Sequence, residues 1–257
     1  MEANRRAEAQ VRGGNFVGAA RDYSEALRLA QSIEDIEGIA ANAINLSIVY
    51  QRLGKHAEAR ASLAPVLDQG KLTFPQGRLA QAALRRAILD LEEGRYASAT
   101  DWIERAASYC SARDCALSGA IHNVKAQLAL EAGNADAAAA SARAALAASR
   151  GSGERAEAAN ALRLLGITAV RAGDAVAALA YFEQALAIDR ALAVPRKIYL
   201  DLIGLGRARA LRGEHSAART FYERALTVSE ADRDAQGAAE ARALIEALGG
   251  SARVPLR

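Results

Sequence analysis

From Asn42 to Leu53 apolar side chains fall at Ile44, Leu46, Ile48, Val49 and Tyr50. That face is too broad for a solvated helix, so the stretch predicts a helix buried on more than one side. Gly54-Lys55 interrupts the pattern, and Ala57 to Leu67 resumes it with Ala59, Leu63, Val66 and Leu67, predicting a second, antiparallel helix. The same punctuation returns at Gly14, Gly54, Gly94, Gly133, Gly173 and Gly213, with spacings of 40, 40, 39, 40 and 40 residues. Each glycine opens one frame. Gly173-Asp-Ala-Val-Ala-Ala178 leads to Phe182 and Ala185-Leu186, and Gly213-Glu-His-Ser-Ala-Ala218 leads to Tyr222 and Ala225-Leu226. Ala19, Ala59, Ala99, Ala138, Ala178 and Ala218 keep one offset from the glycine, where small size lets two helix backbones approach closely. Self-similarity at a fixed period predicts a stack of like units rather than a domain built round a pocket.

Composition agrees with helices throughout. About a quarter of the 257 residues are Ala, the best helix former, and only four are Pro. No alternating run of β-branched residues competes. The net charge of +3 comes from signs mixed along every helix, without the concentrated basic face of a nucleic-acid binder. No apolar run reaches the roughly 18 residues of a membrane span, and no signal-peptide pattern opens the chain. A helical pattern starts at once with Glu2-Ala-Asn-Arg-Arg-Ala-Glu, which suits a cytoplasmic protein and an exported one with its signal removed equally well.

These residues resemble the tetratricopeptide repeat, a helix–turn–helix unit. Leu165-Gly166 and Leu205-Gly206 match its Leu-Gly element; Gly14-Asn15-Phe16 and Gly94-Arg95-Tyr96 match its turn. The period is longer than the usual 34 and the unit-ending Pro is missing, which looks like the long-period subgroup of kinesin light chains, spindle-orientation adaptors and many bacterial regulators. The resemblance implies an all-α, right-handed α-solenoid of six helix pairs with a C-terminal capping helix. Its repeats fall at about 2–35, 36–74, 75–114, 115–152, 153–193 and 194–232, the cap at 234–248 and a loose tail at 251–257. Repeat four stands out. Ala142 replaces Tyr23, Leu63, Ile103, Phe182 or Tyr222, and Ala135 replaces Phe16 or Tyr96. With Gly151-Ser-Gly153 following, this reads either as a thin, closely packed joint or as a hinge between two halves.

Catalytic chemistry finds little footing. His56 and His215 take the place of Phe16 and Tyr96 and read as packing residues; His122 lies twelve residues after Cys110 with no third group to orient a nucleophile pair. There is no phosphate loop and no zinc-binding spacing, so no catalytic residue, metal or cofactor is expected. Cys110 and Cys115 flank the link between repeats three and four. They read either as a disulfide across a tight turn, which implies export, or as two thiols in a reducing compartment.

The resemblance places the working surface on the concave face lined by the first helix of each pair. Mapped from the turn glycines, that face carries Arg5, Arg12, Asn45, Arg52, Arg85, Asn123, Arg163, Arg171 and Arg207 over apolar Ile44, Ile48, Ile88 and Ile167. Asn amides can bind any peptide backbone and Arg takes carboxylates bidentately. The expectation is a non-enzymatic adaptor that holds a protein or peptide segment, acidic or ending in a free carboxylate. The alternative is a regulatory module that responds to a small peptide or a partner domain.

Overall fold

In the computed structural model, which describes residues 2–68, 70, 72–110 and 115–249, the six turn glycines all take left-handed φ angles between 70° and 79°. That conformation costs an L side chain about 1–2 kcal/mol and costs glycine little. The next residue starts the partner helix: the side chains of Asn15, Asn134 and Asp174 accept from the N–H of Gly18, Ala137 and Ala177 at 2.9–3.0 Å. One glycine therefore ends a helix and its neighbour begins another. Turns this short make the two helices antiparallel.

The chain forms two units, residues 1–117 and 118–257. Unit 1 holds α1 (Glu2–Arg12), α2 (Phe16–Ser32), α3 (Ile36–Arg52), α4 (His56–Ala61), α5 (Ala64–Leu67), α6 (Gln76–Glu92) and α7 (Tyr96–Tyr109). Unit 2 holds α8 (Ser118–Glu131), α9 (Ala135–Ser152), α10 (Arg155–Arg171), α11 (Ala175–Ala191), α12 (Pro195–Leu211), α13 (His215–Ala231) and α14 (Ala235–Gly249). There is no strand among the described residues. The expected single helix over 57–67 is broken at Ser62–Leu63 into α4 and α5. Pro65 lacks an N–H and its ring would meet the carbonyl four residues back, so it is admitted only in the first turn of a fresh helix. With α4 and α5 as one broken helix, the described residues give thirteen helices packed in consecutive pairs, the last a cap.

The six alanines at the fixed offset are 0% exposed, which is how a Cβ-sized side chain lets paired helices close. Tyr23, Leu63, Ile103, Phe182 and Tyr222 are buried beside them. Unit 1 centres on Tyr23, Ile39, Leu46, Leu63 and Leu89, and unit 2 on Phe182, Tyr199, Leu202, Leu205 and Tyr222. Among the described residues Ala142 shares a small buried cluster with Ala126 and Leu165, edged by half-buried Ala139, Leu146, Leu164 and Tyr181, so the core thins at the alanine-rich helix. The units part at Leu117–Ser118, however, and the proposed hinge at 151–153 lies inside unit 2. There α9 continues through Gly151 and Ser152 and ends at Gly153, whose φ is 76°. Helix α14 packs on α13 through Ala238 and Ala241, with Leu244, Ile245 and Leu248 half-buried against the core. The expected tail, residues 251–257, lies outside the described residues.

Candidate functional site

Two helices of unit 1 present like faces to each other. Ile44 and Asn45 on α3 and Leu84, Arg85 and Ile88 on α6 line an open recess of about 360 Å³, with Arg78 and Gln81 at its edge. Residues 84 and 88 are one helical turn apart, so they share a face. Arg85 anchors the recess. Its guanidinium donates to Gln51 and, at 3.5 Å, to the Ser47 carbonyl, while its buried Nε has no partner. Burial, with the nearby Arg52 charge, pulls its pKa down to about 10 against the opposing pull of Glu92. A desolvated cation with a spare donor is a place where an anionic group gains most. Asn45 is half-buried and makes no hydrogen bond to any described residue, so its amide is available to a ligand. Arg78 is held by Glu37 at 2.7 Å and by Gln81 at 3.0 Å.

In unit 2 two of the expected groove residues, Arg163 and Asn123, stand one position earlier in the repeat frame than Arg85 and Asn45 and are spent on the fold. Arg163 is buried, 6% exposed, rather than lining an open face. It donates through Nε to Asp201 at 2.7 Å and through its other nitrogens to Asp189 and to Asn160. Asn123 is buried too and donates to both the carbonyl and the carboxylate of Glu157. These bonds tie α8, α10, α11 and α12 together, so both side chains act as braces between pairs. Two aspartates share one arginine here. Burial above all, against the attraction of Arg163 and with Asp189 pressing the same way, pushes the Asp201 carboxyl up to about 7. Lys197 faces this cluster with its pKa lowered by burial first and by Arg163 second.

The remaining expected residues scatter. Arg5, Arg12 and Arg52 are exposed on α1 and α3 of unit 1. Arg171 donates to the Leu130 carbonyl at 2.6 Å, and Arg207 pairs with Glu240 at 3.2 Å. Of the nine polar groove residues the recess brings together Asn45 and Arg85. Arg78 and Gln81 were not foreseen, nor were Asp189 and Asp201. A signal for the aspartates was present: they stand where neighbouring repeats have Ser149 and Ser229, and Ala161 and Ala241. His215 is exposed and His56 half-buried, so the packing role expected of His215 is not fulfilled at the first residue of its helix. Cys110 and Cys115 stand paired as a disulfide with Cα atoms 5.6 Å apart; residues 111–114 between them lie outside the described residues. Among the described residues no group of three or more His, Cys, Asp or Glu could hold a metal, and no helix is long and apolar enough to cross a membrane.

The structure is similar to BtubC (BKLC) from P. vanneervenii, with a TM-score of 0.68 and 21% identity over 89% of this chain and 92% of that one. It is similar to a signal transduction ATPase with a tetratricopeptide-repeat sensor from Pyrococcus horikoshii, at TM-score 0.68 and 17% identity, over 94% of this chain and 36% of that one. A Rap protein complexed with Competence and Sporulation Factor gives a TM-score of 0.70 at 14% identity, over 96% of this chain and 69% of that one. No curated protein matches the chain in sequence. Two family models described as tetratricopeptide repeat match residues 44–114 and 116–191, together more than half of the sequence. With the left-handed turn glycines, the buried alanines and the consecutive helix pairs, these matches carry the conclusion that the chain belongs to the tetratricopeptide-repeat proteins.

Proposed function

We propose that this protein is a non-enzymatic adaptor whose unit 1 holds an extended segment of a partner protein in the recess between α3 and α6. Tetratricopeptide-repeat folds typically serve protein–protein interaction. The 40-residue spacing of the turn glycines supports a place among the long-period members. The observation that carries the reading is the recess itself: apolar Ile44, Leu84 and Ile88 beside the unengaged Asn45 amide and the desolvated Arg85. Apolar side chains of the segment seat on the isoleucines and leucine, its backbone pairs with Asn45, and an Asp, Glu or terminal carboxylate meets Arg85.

Partners recovered by affinity capture from the source organism, then purified, test this directly. Arg85→Gln should weaken the authentic partner by roughly tenfold or more, since truncating one member of a buried charge pair costs about 2–5 kcal/mol, and Asn45→Ala by roughly fivefold, for a neutral hydrogen bond of about 1 kcal/mol. Raising salt should weaken it further. Circular dichroism should stay unchanged. A partner held equally well by both folded variants overturns the assignment. Arg163→Glu is no test of binding, because it places a third acid against Asp189 and Asp201.

A further inference from the structure

Unit 2 carries a second opening, unrelated to the recess of unit 1. A slot of about 430 Å³ runs between α9 and α11 with α10 beneath it. Leu146, Leu162 and Ile188 make its walls apolar. The repeat explains why it is open at this pair. Forty residues on, Ile198 stands in the place of Ala158 and Thr227 in the place of Ala187. Ile198 packs against the core there, whereas Ala158 leaves that volume empty. One end of the slot is cationic. Arg150 and Arg155 line it, both are exposed, and neither side chain bonds to a described residue; the exposed Glu154 beside them offsets one of the two charges.

We propose that this slot docks an acidic amphipathic helix of a partner protein. Two or three of its apolar side chains fill the space above Ala158, and Asp or Glu at one end meets Arg150 and Arg155. A helix fits better than an extended strand because an apolar slot offers few partners for an open backbone. A helix satisfies its own backbone and needs only an apolar stripe with complementary charge. The recess of unit 1 differs in offering the amide of Asn45, a partner for an extended backbone.

The test uses the full chain with labelled Ile and Leu methyl groups. The probes are helical peptides of about 16 residues, four turns or more, with Leu at i, i+3, i+4 and i+7 and Glu grouped at one end. A matched set carries Gln for Glu. The Glu peptides should shift the methyl signals of Leu146, Leu162 and Ile188, and the Gln set should bind roughly tenfold more weakly. Arg150→Glu with Arg155→Glu should cause a similar loss for the Glu peptides. Ala158→Ile, which copies the next pair, should abolish the shifts. Ala187→Thr, at an exposed position and copying Thr227, should weaken them even if Ala158→Ile disturbs folding. The proposal is overturned if no slot methyl moves at about 1 mM peptide, an affinity floor near 4 kcal/mol. It is equally overturned if the shifts appear at Ile44 and Ile88 instead, or survive in a folded variant with the slot filled.

Discussion

Alanine usually improves a helix when it replaces glycine, by about 1 kcal/mol. At Gly204 the structure reverses that sign. A Cβ built there would lie within 2.5 Å of three carbons of the Phe182 ring, where carbon atoms settle at about 3.5–4.0 Å. The ring must therefore retreat by roughly an ångström. Its opposite edge is blocked by α10, because a Cβ at Gly166 would already stand 2.8 Å from it and the ring is 1% exposed. Overpacking of this kind costs about 1–3 kcal/mol and outweighs the gain in propensity. Gly204→Ala should accordingly lower the urea midpoint of unit 2, followed by circular dichroism at 222 nm. Gly166→Ala should cost less. Gly151→Ala, where nothing lies within 4 Å, should stabilise by about 0.5–1 kcal/mol. Trimming the ring in Phe182→Leu should relieve the clash, so the double variant should depart from additivity by about 1 kcal/mol or more. If Gly204→Ala is as stable as the parent, or if its cost persists in the Phe182→Leu background, the argument from ring contact fails.

Ala193 holds a φ of 53° at the link where the preceding pair has Gly153, so Ala193→Gly should raise the unfolding midpoint, worth about 0.5–1 kcal/mol, and Gly153→Ala should lower it. The Asp201 carboxyl, raised to about 7 by burial, binds its proton more tightly folded than unfolded. Its contribution to stability is therefore full below the usual carboxylate range and lost as pH rises through 7. Unit 2 should resist urea better at about pH 6 than at about pH 8, one unit either side of the titration, and Asp201→Asn should flatten the difference. The sole Trp, Trp102 on α7, gives a fluorescence signal from unit 1 against which to compare. Peptide mass mapping of protein kept from reductants should recover Cys110 and Cys115 as one linked peptide; two free thiols would return both residues to the reading as separate thiols.

The helices were legible because their causes are local. A glycine at left-handed φ and an alanine where backbones meet leave a mark in all six repeats, and an Asn or Asp that caps adds one in three of them. The break at Ser62–Leu63 was legible in kind as well, since Pro65 announces it, but the apolar run through Val66 and Leu67 masked the proline. The split at Leu117–Ser118 was not, because the alanine-rich α9 draws attention to its own thin core while still packing on both α8 and α10. The site was half legible. Asn45 and Arg85, nine residues before their turn glycines, meet in the recess, but Arg163 and Asn123, ten residues before theirs, disappear into braces.

That divergence has a physical cause which the repeat itself exposes. An arginine on the first helix of a pair stays available only while its neighbours supply no carboxylate within reach. Arg163 meets two, because Asp189 and Asp201 replace the serines and alanines found at those positions in adjoining pairs. A buried arginine flanked by acids lowers its energy by ordering against them, and removing one member would leave charge stranded at a cost of about 3–5 kcal/mol. Arg85 meets an amide and a carbonyl instead, which satisfy donors without neutralising charge, so the cation remains to be neutralised by something else. The slot over Ala158 arises in the same way, where a side chain is smaller than Ile198 at the equivalent place in the next pair rather than more acidic. In a chain built from one repeated unit, the common residues account for the stack, and the places where one copy departs from the others are where its particular chemistry resides.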